Sequence, residues 1–144
     1  MAHRLVSDPS AAQKVNLPTS GSQAITRGAL VLLTYASDRV DPATSSVGTT
    51  LTNIGVAAET IASTASDIDV ILLEPGQLWE IDCTSATATN QVCNRHAMTD
   101  SLTLANTSSD ISTTLGVWLM LAQVGAAADN KALCRPLLVG QVTA

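Results

Sequence analysis

The sequence predicts an all-β fold: a small antiparallel barrel or sandwich over residues 21–144, an extended N-terminal arm over residues 1–20, and at most one short helix. Three observations lead there. Apolar residues alternate at period two in several short segments, and polar loops bearing Gly, Pro, Asp and Asn separate them. No long stretch keeps helical spacing. A chain of 144 residues with 46% hydrophobic content and mean hydropathy +0.27 suits one domain with its own core.

Residues 1–20 show neither helical nor strand periodicity and carry Pro9 and Pro18. They are expected to form an arm without a core of its own, reaching roughly 65 Å if extended. Folding signals begin at Ala24–Thr26, with Arg27-Gly28 as a turn. Ala29–Ala36 reads as a strand, with Val31, Leu33 and Tyr35 on one face. Ser37–Asn53 reads as a loop, broken by Asp41-Pro42. Ile54–Ile61 is the next strand.

The segment Val70–Cys83 (VILLEPGQLWEIDC) is the most explicit. Val70–Leu73 is an apolar run expected to be covered on both faces. Glu74-Pro75-Gly76-Gln77 has the residues of a type II turn, with glycine where φ must be positive. Beyond it Trp79, Ile81 and Cys83 share one face while Leu78, Glu80 and Asp82 share the other. The expected result is a hairpin.

Thr84–Asn94 is a polar loop, and one short strand is expected within His96–Leu104. Asn106–Thr114 is expected to be a loop or a single helical turn. Leu115–Val124 reads as a strand buried on both faces, bounded by Gly116 and Gly125. Leu133–Val142 returns antiparallel, and Pro136 implies an edge position or a bulge. The total is roughly seven to nine strands, with no internal repeat.

Composition narrows the function classes. Net charge is −5 and the seven Lys and Arg are scattered. Nucleic-acid binding needs clustered cations and is disfavoured. No apolar run approaches the length of a membrane helix, so no membrane partner is expected, and the N-terminus lacks the apolar core of a secretion signal. Only 13% of residues are charged and only 2% are aromatic. The resulting small-residue surface suits packing against another protein, because little charge must be desolvated. Three cysteines, an odd count, favour free thiols and a reducing compartment. Cys83 and Cys134 are then buried small hydrophobes, with Cys83–Cys93 as the bridge left open.

The search for chemistry finds no catalytic set. No serine sits in a strained Gly-x-Ser-x-Gly elbow, and His3 and His96 are the two histidines. Cys93 and His96 have Cys-x-x-His spacing, half of a zinc motif without its second half; His96 is expected to be a solvated loop residue. Asp67, Asp69 and Glu74 do not match a calcium loop. Glu80 and Asp82 pair as strand alternation alone produces, and Asp38, Arg39 and Asp41 read as surface pairs. Trp79 and Trp118 are expected in the core rather than at an interface. Neither a cofactor nor a metal is expected.

The order of SGSQAITRGALVLLTYA, NIGVAAET, EPGQLWEIDC and the C-terminal GVWLMLAQVGAAADNKALCRPLLVGQVTA resembles the head decoration, or capsid cement, proteins of tailed bacteriophages built on a β-tulip-type barrel. The resemblance covers most of residues 20–144 and departs between Thr84 and Thr114. It implies a structural, non-enzymatic homotrimer. Its partners would be the major capsid protein and its own copies, on the outer capsid surface of a virion assembled in the host cytoplasm. It also implies contact through an arm, whose candidate residues here are His3, Arg4, Leu5, Val6, Val15, Leu17 and Pro18. Competing expectations are another virion part (head fibre, collar or tail-tube subunit), a glycan-binding adhesin module, and an enzyme using Glu80, Asp82 and His96.

Overall fold

The computed structural model describes residues 3–7, 12–34, 38–42, 51–74, 76–96, 98, 100–106 and 118–136. Among them, eleven strands form two sheets: β1 His3–Leu5, β2 Lys14–Pro18, β3 Leu30–Thr34, β4 Arg39–Pro42, β5 Leu51–Ala57, β6 Asp67–Leu72, β7 Trp79–Cys83, β8 Arg95–His96, β9 Thr103–Leu104, β10 Trp118–Gln123 and β11 Lys131–Pro136. Only two single 3₁₀ turns, Thr89–Gln91 and Ala127–Asp129, interrupt this all-β pattern among the described residues. Short β-branched and leucine-rich runs separated by turn residues lead to this outcome.

The first sheet has the order β1-β7-β11-β10-β8 and is antiparallel throughout that path. Strand β9 joins it parallel to β7, at Asp82 and Cys83. Because β11 already occupies one side of β7, β1 and β9 share the other side end to end. The second sheet, β2-β6-β5-β3-β4, is wholly antiparallel. It curls until Thr19, the residue after β2, bridges Val40 of β4. Arg39 closes the seam by donating from Nη1 to the Thr19 carbonyl at 3.0 Å.

Curling gives the molecule two cores. Leu30, Leu32 and Val56 of the second sheet pack against Trp79, Ile81, Trp118, Met120, Ala132 and Cys134 of the first. Val31 and Ala57, the alternate residues of β3 and β5, fill the inside of the curl with Val40 of β4, Ile68 and Val70 of β6, and Ile25 and Ala29. Strand alternation therefore buries both faces of the second sheet's central part, at Leu30–Leu32 of β3 and Val56–Ala57 of β5. Gly55 permits this closeness: a Cβ there would overlap Val70 Cγ1 and the Ile71 carbonyl.

Several sequence expectations change. The turn after Leu73 forms, with Gly76 at φ +85° and Gln77 N donating to the Glu74 carbonyl at 3.4 Å. Its flanking strands do not pair, however: β6 lies in one sheet and β7 in the other. The chain turns a corner instead of making a hairpin. Gln77 replaces the ladder bonds lost there: its Oε1 accepts from Glu74 N (2.9 Å) and Trp79 Nε1 (3.1 Å), and its Nε2 donates to the Leu72 carbonyl (3.0 Å). Strand β10 buries Trp118 and Met120 but leaves Leu119 partly and Leu121 more fully exposed, so one face is wet. Strand β11, expected at an edge or with a bulge, is interior. Pro136 is tolerated as its last paired residue, and the irregularity falls on β10, where the register skips one residue between Met120 and Ala122. A strand, β4, occupies part of the loop expected over Ser37–Asn53.

The segment expected as a core-free arm contains two paired strands. β1 pairs with β7 in the first sheet and β2 with β6 in the second. A three-residue and a five-residue strand are too short for periodicity to reveal, and edge strands need only one face covered. The expectations for Tyr35–Ala36, the 43–50 part of the loop, Thr107–Thr114, Leu115–Val117 and Leu137–Val142 lie outside the described residues.

Candidate functional site

The contact residues read from the sequence fall on the outer strands of different sheets. In β1, His3 is fully buried and Arg4 is exposed, donating from Nη2 to Glu80 Oε2 at 2.7 Å. Leu5 is half-buried against the first core, and Val6 just beyond is 47% exposed. In β2, Val15 is half-buried and Leu17 is half-buried against the second core, while Lys14, Asn16 and Pro18 face out. Of the seven, Arg4, Val6 and Pro18 present a largely free surface. His3 is turned wholly inward, so burial removes it from the contact set.

Around these strands lie two charged ladders. On the outer face of the first sheet, Glu80 sits between Arg4 and Lys131 (3.6 Å), and Lys131 also reaches Asp82 (3.4 Å). The Arg4 guanidinium holds the Glu80 carboxyl below the usual carboxylate range. Glu80 and Asp82 are thus spent on cations rather than poised as an acid–base pair. On the second sheet, Asn16 Nδ2 donates to Asp69 (3.0 Å) and Asp67 (3.5 Å), and Glu59 accepts from the Asp69 backbone N–H (2.9 Å). Among the described residues no group of three or more His, Cys, Asp and Glu is placed to hold a metal ion.

Cysteines and aromatics follow the packing. Cys83 and Cys134 are buried free thiols, whereas Cys93 is exposed. Desolvation pushes the Cys83 thiol up to about 12 and that of Cys134 higher still. Neither is a nucleophile at neutral pH. Trp79 and Trp118 lie in the core with ring centroids 6.2 Å apart, edge to face. His96, expected to be solvated, is completely buried in β8, with Nε2 3.0 Å from the Gln91 carbonyl. Ladder pairing with Trp118 turns it inward. Cys93 faces solvent, so the Cys-x-x-His spacing converges on nothing.

Sequence reasoning missed Asn106. Fully buried, it pins the polar run after β7. Its Oδ1 accepts from Thr84 Oγ1 (3.2 Å), Ser85 N (3.1 Å) and Ser85 Oγ (3.0 Å). Its Nδ2 donates to the Ser85 carbonyl (3.0 Å), the Ala86 carbonyl (3.4 Å) and Gln91 Oε1 (3.2 Å). The loop thus has a fixed shape, tied also to the β10–β11 turn through Thr87 N and the Ala127 carbonyl (3.2 Å). Nothing in local sequence marks one asparagine among many polar residues as this pin. Comparison with protein-family models finds no match to this chain, and neither does comparison with curated proteins.

Proposed function

We propose that the protein is a structural virion component, a decoration protein that binds the outer surface of a phage head as an oligomer, most simply a trimer, and stabilises it by bridging major capsid subunits. The observation that supports this best is where the N-terminal segment runs. One short stretch supplies an outer strand to each of two sheets, leaving Arg4, Val6, Lys14, Asn16 and Pro18 facing outward from a body with two apolar cores. A rigid β body with outward-facing outer strands suits work done by shared contact area. Linking three such contacts in a trimer multiplies avidity by about 10²–10⁴ without any strong single contact.

The resemblance's free arm is replaced in this proposal by docked strands. Attachment then uses the outward faces of β1 and β2 rather than a segment that orders only on binding. The test is co-sedimentation of the purified protein with undecorated heads of tailed phages, followed by cryo-EM and mass measurement of the free protein. Trimers seated at three-fold positions are expected. Hexameric rings would point to a tail-tube subunit, and a free monomer with no affinity for any shell would overturn the proposal.

A further inference from the structure

Both histidines of the chain lie against one tryptophan. The His3 ring is 5.4 Å from that of Trp118, centroid to centroid, and His96 is the ladder partner of Trp118. β1 and β10 are separated by β7 and β11 in the first sheet, so this contact requires that sheet to curl as well. His3 Nδ1 lies 2.8 Å from the Gly28 carbonyl and His96 Nε2 lies 3.0 Å from the Gln91 carbonyl, which fixes a proton on each of these nitrogens. The second nitrogen of each ring, His3 Nε2 and His96 Nδ1, is buried without a partner, as is Trp118 Nε1.

A neutral imidazole tolerates a bare acceptor nitrogen in an apolar wall. An imidazolium does not, because its second N–H then needs an acceptor and its charge needs water. The acidic groups that act on His3 are Asp82 of β7 and Asp100 of the segment before β9, and both favour the cation. Arg4 on its own strand is engaged with Glu80, and Lys131 of β11 with Glu80 and Asp82. Burial outweighs the acids and holds His3 at about 4 instead of 6.5. The native contact is therefore complete above pH 6.5 and loses stability as pH falls from there toward 4.

Little else holds β1. It has three ladder positions, His3, Arg4 and Leu5 against Ile81, Glu80 and Trp79. Beyond them come an Arg4–Glu80 pair with an exposed arginine, two backbone contacts from Val6 and Ser7 to the Leu78 carbonyl, a bond from Leu78 N to Ser7 Oγ (3.1 Å), and the half-buried Leu5 side chain against the first core. His3 is the strand's one fully buried side chain. We propose that β1 is an acid-released latch: a proton on His3 detaches residues 3–7 from the outer edge of β7 and uncovers Trp118, while β7, β11 and β10 stay paired. The inference does not depend on the virion reading, since it concerns only this chain.

Hydrogen exchange on the intact protein between pH 7 and pH 4, corrected for intrinsic rates, tests it. The opening constant of residues 3–7 is expected to rise up to tenfold per pH unit, about 300-fold in all, with β10 and β11 still protected. The His3→Asn variant keeps a donor for the Gly28 carbonyl and has no titration, so its opening should be flat in pH. His96→Gln should retain the wild-type response. Should His3→Asn not fold, the wild-type segments still decide. Loss of protection at β1 and β10 together, or none down to pH 4, overturns the latch; so does a response that follows His96.

Discussion

Replacing Asn106 by aspartate keeps the shape of the side chain and reverses its polarity where three acceptors converge. In the wild type, Nδ2 donates to the Ser85 and Ala86 carbonyls and to Gln91 Oε1. In Asn106→Asp an oxygen faces them. A protonated carboxyl recovers one of the three bonds, leaving a loss of about 2 kcal/mol at roughly 1 kcal/mol per bond. Ionisation in this fully buried site is unfavourable, so the folded-state pKa rises above the unfolded value. A raised carboxyl pKa costs nothing extra below about 3.9, and stability is lost as pH climbs from there toward the folded pKa. At pH 7 the added cost reaches up to about 4 kcal/mol if the group stays protonated when folded. The gap between variant and wild type should thus widen from about 2 kcal/mol near pH 4 to about 6 kcal/mol at pH 7, comparable to the whole stability of a small domain. Urea unfolding followed by tryptophan fluorescence at both pH values measures it. A gap under about 1 kcal/mol at pH 7, or one that narrows with rising pH, would refute the role of Asn106 as the pin of the loop.

Three further outcomes are expected. Gly55→Ala forces a Cβ into Val70 Cγ1 and the Ile71 carbonyl, and thermal unfolding should show a loss of about 1–3 kcal/mol; an unchanged Tm would mean β5 and β6 are not so close. In the folded protein a thiol reagent at pH 8 should titrate Cys93 rapidly and leave Cys83 and Cys134 protected until denaturant is added; three fast thiols would contradict the burial. Deleting residues 1–20 strips an outer strand from each sheet together with the packing of Leu5 and Leu17. The truncated chain should unfold at clearly lower urea than the full chain, by an amount comparable to the roughly 2–5 kcal/mol lost when one core leucine is cut to alanine, whereas equal stability would mean these strands contribute no more than a free arm.

Sequence alone settled what depends on near neighbours. Period-two patterning located β3, β7 and β10 and gave the inward set Trp79, Ile81 and Cys83, because alternation is a property of the extended backbone itself. The Glu74–Gln77 turn was equally legible, since positive φ at Gly76 is a local demand. Pairing was not. Whether the strand after that turn folds back on β6 or crosses to the other sheet depends on what Leu73 and Gln77 meet in the assembled core, and both choices carry the same local signature. The segment holding the candidate contact residues reads as a free arm in sequence, because β1 and β2 take their order from β7 and β6, far away in the chain. His96 and Asn106 show the same division. Polarity suggested water for His96 and gave Asn106 no special role, and only the tertiary structure supplied the carbonyls and side chains that let such groups be buried satisfied or nearly so.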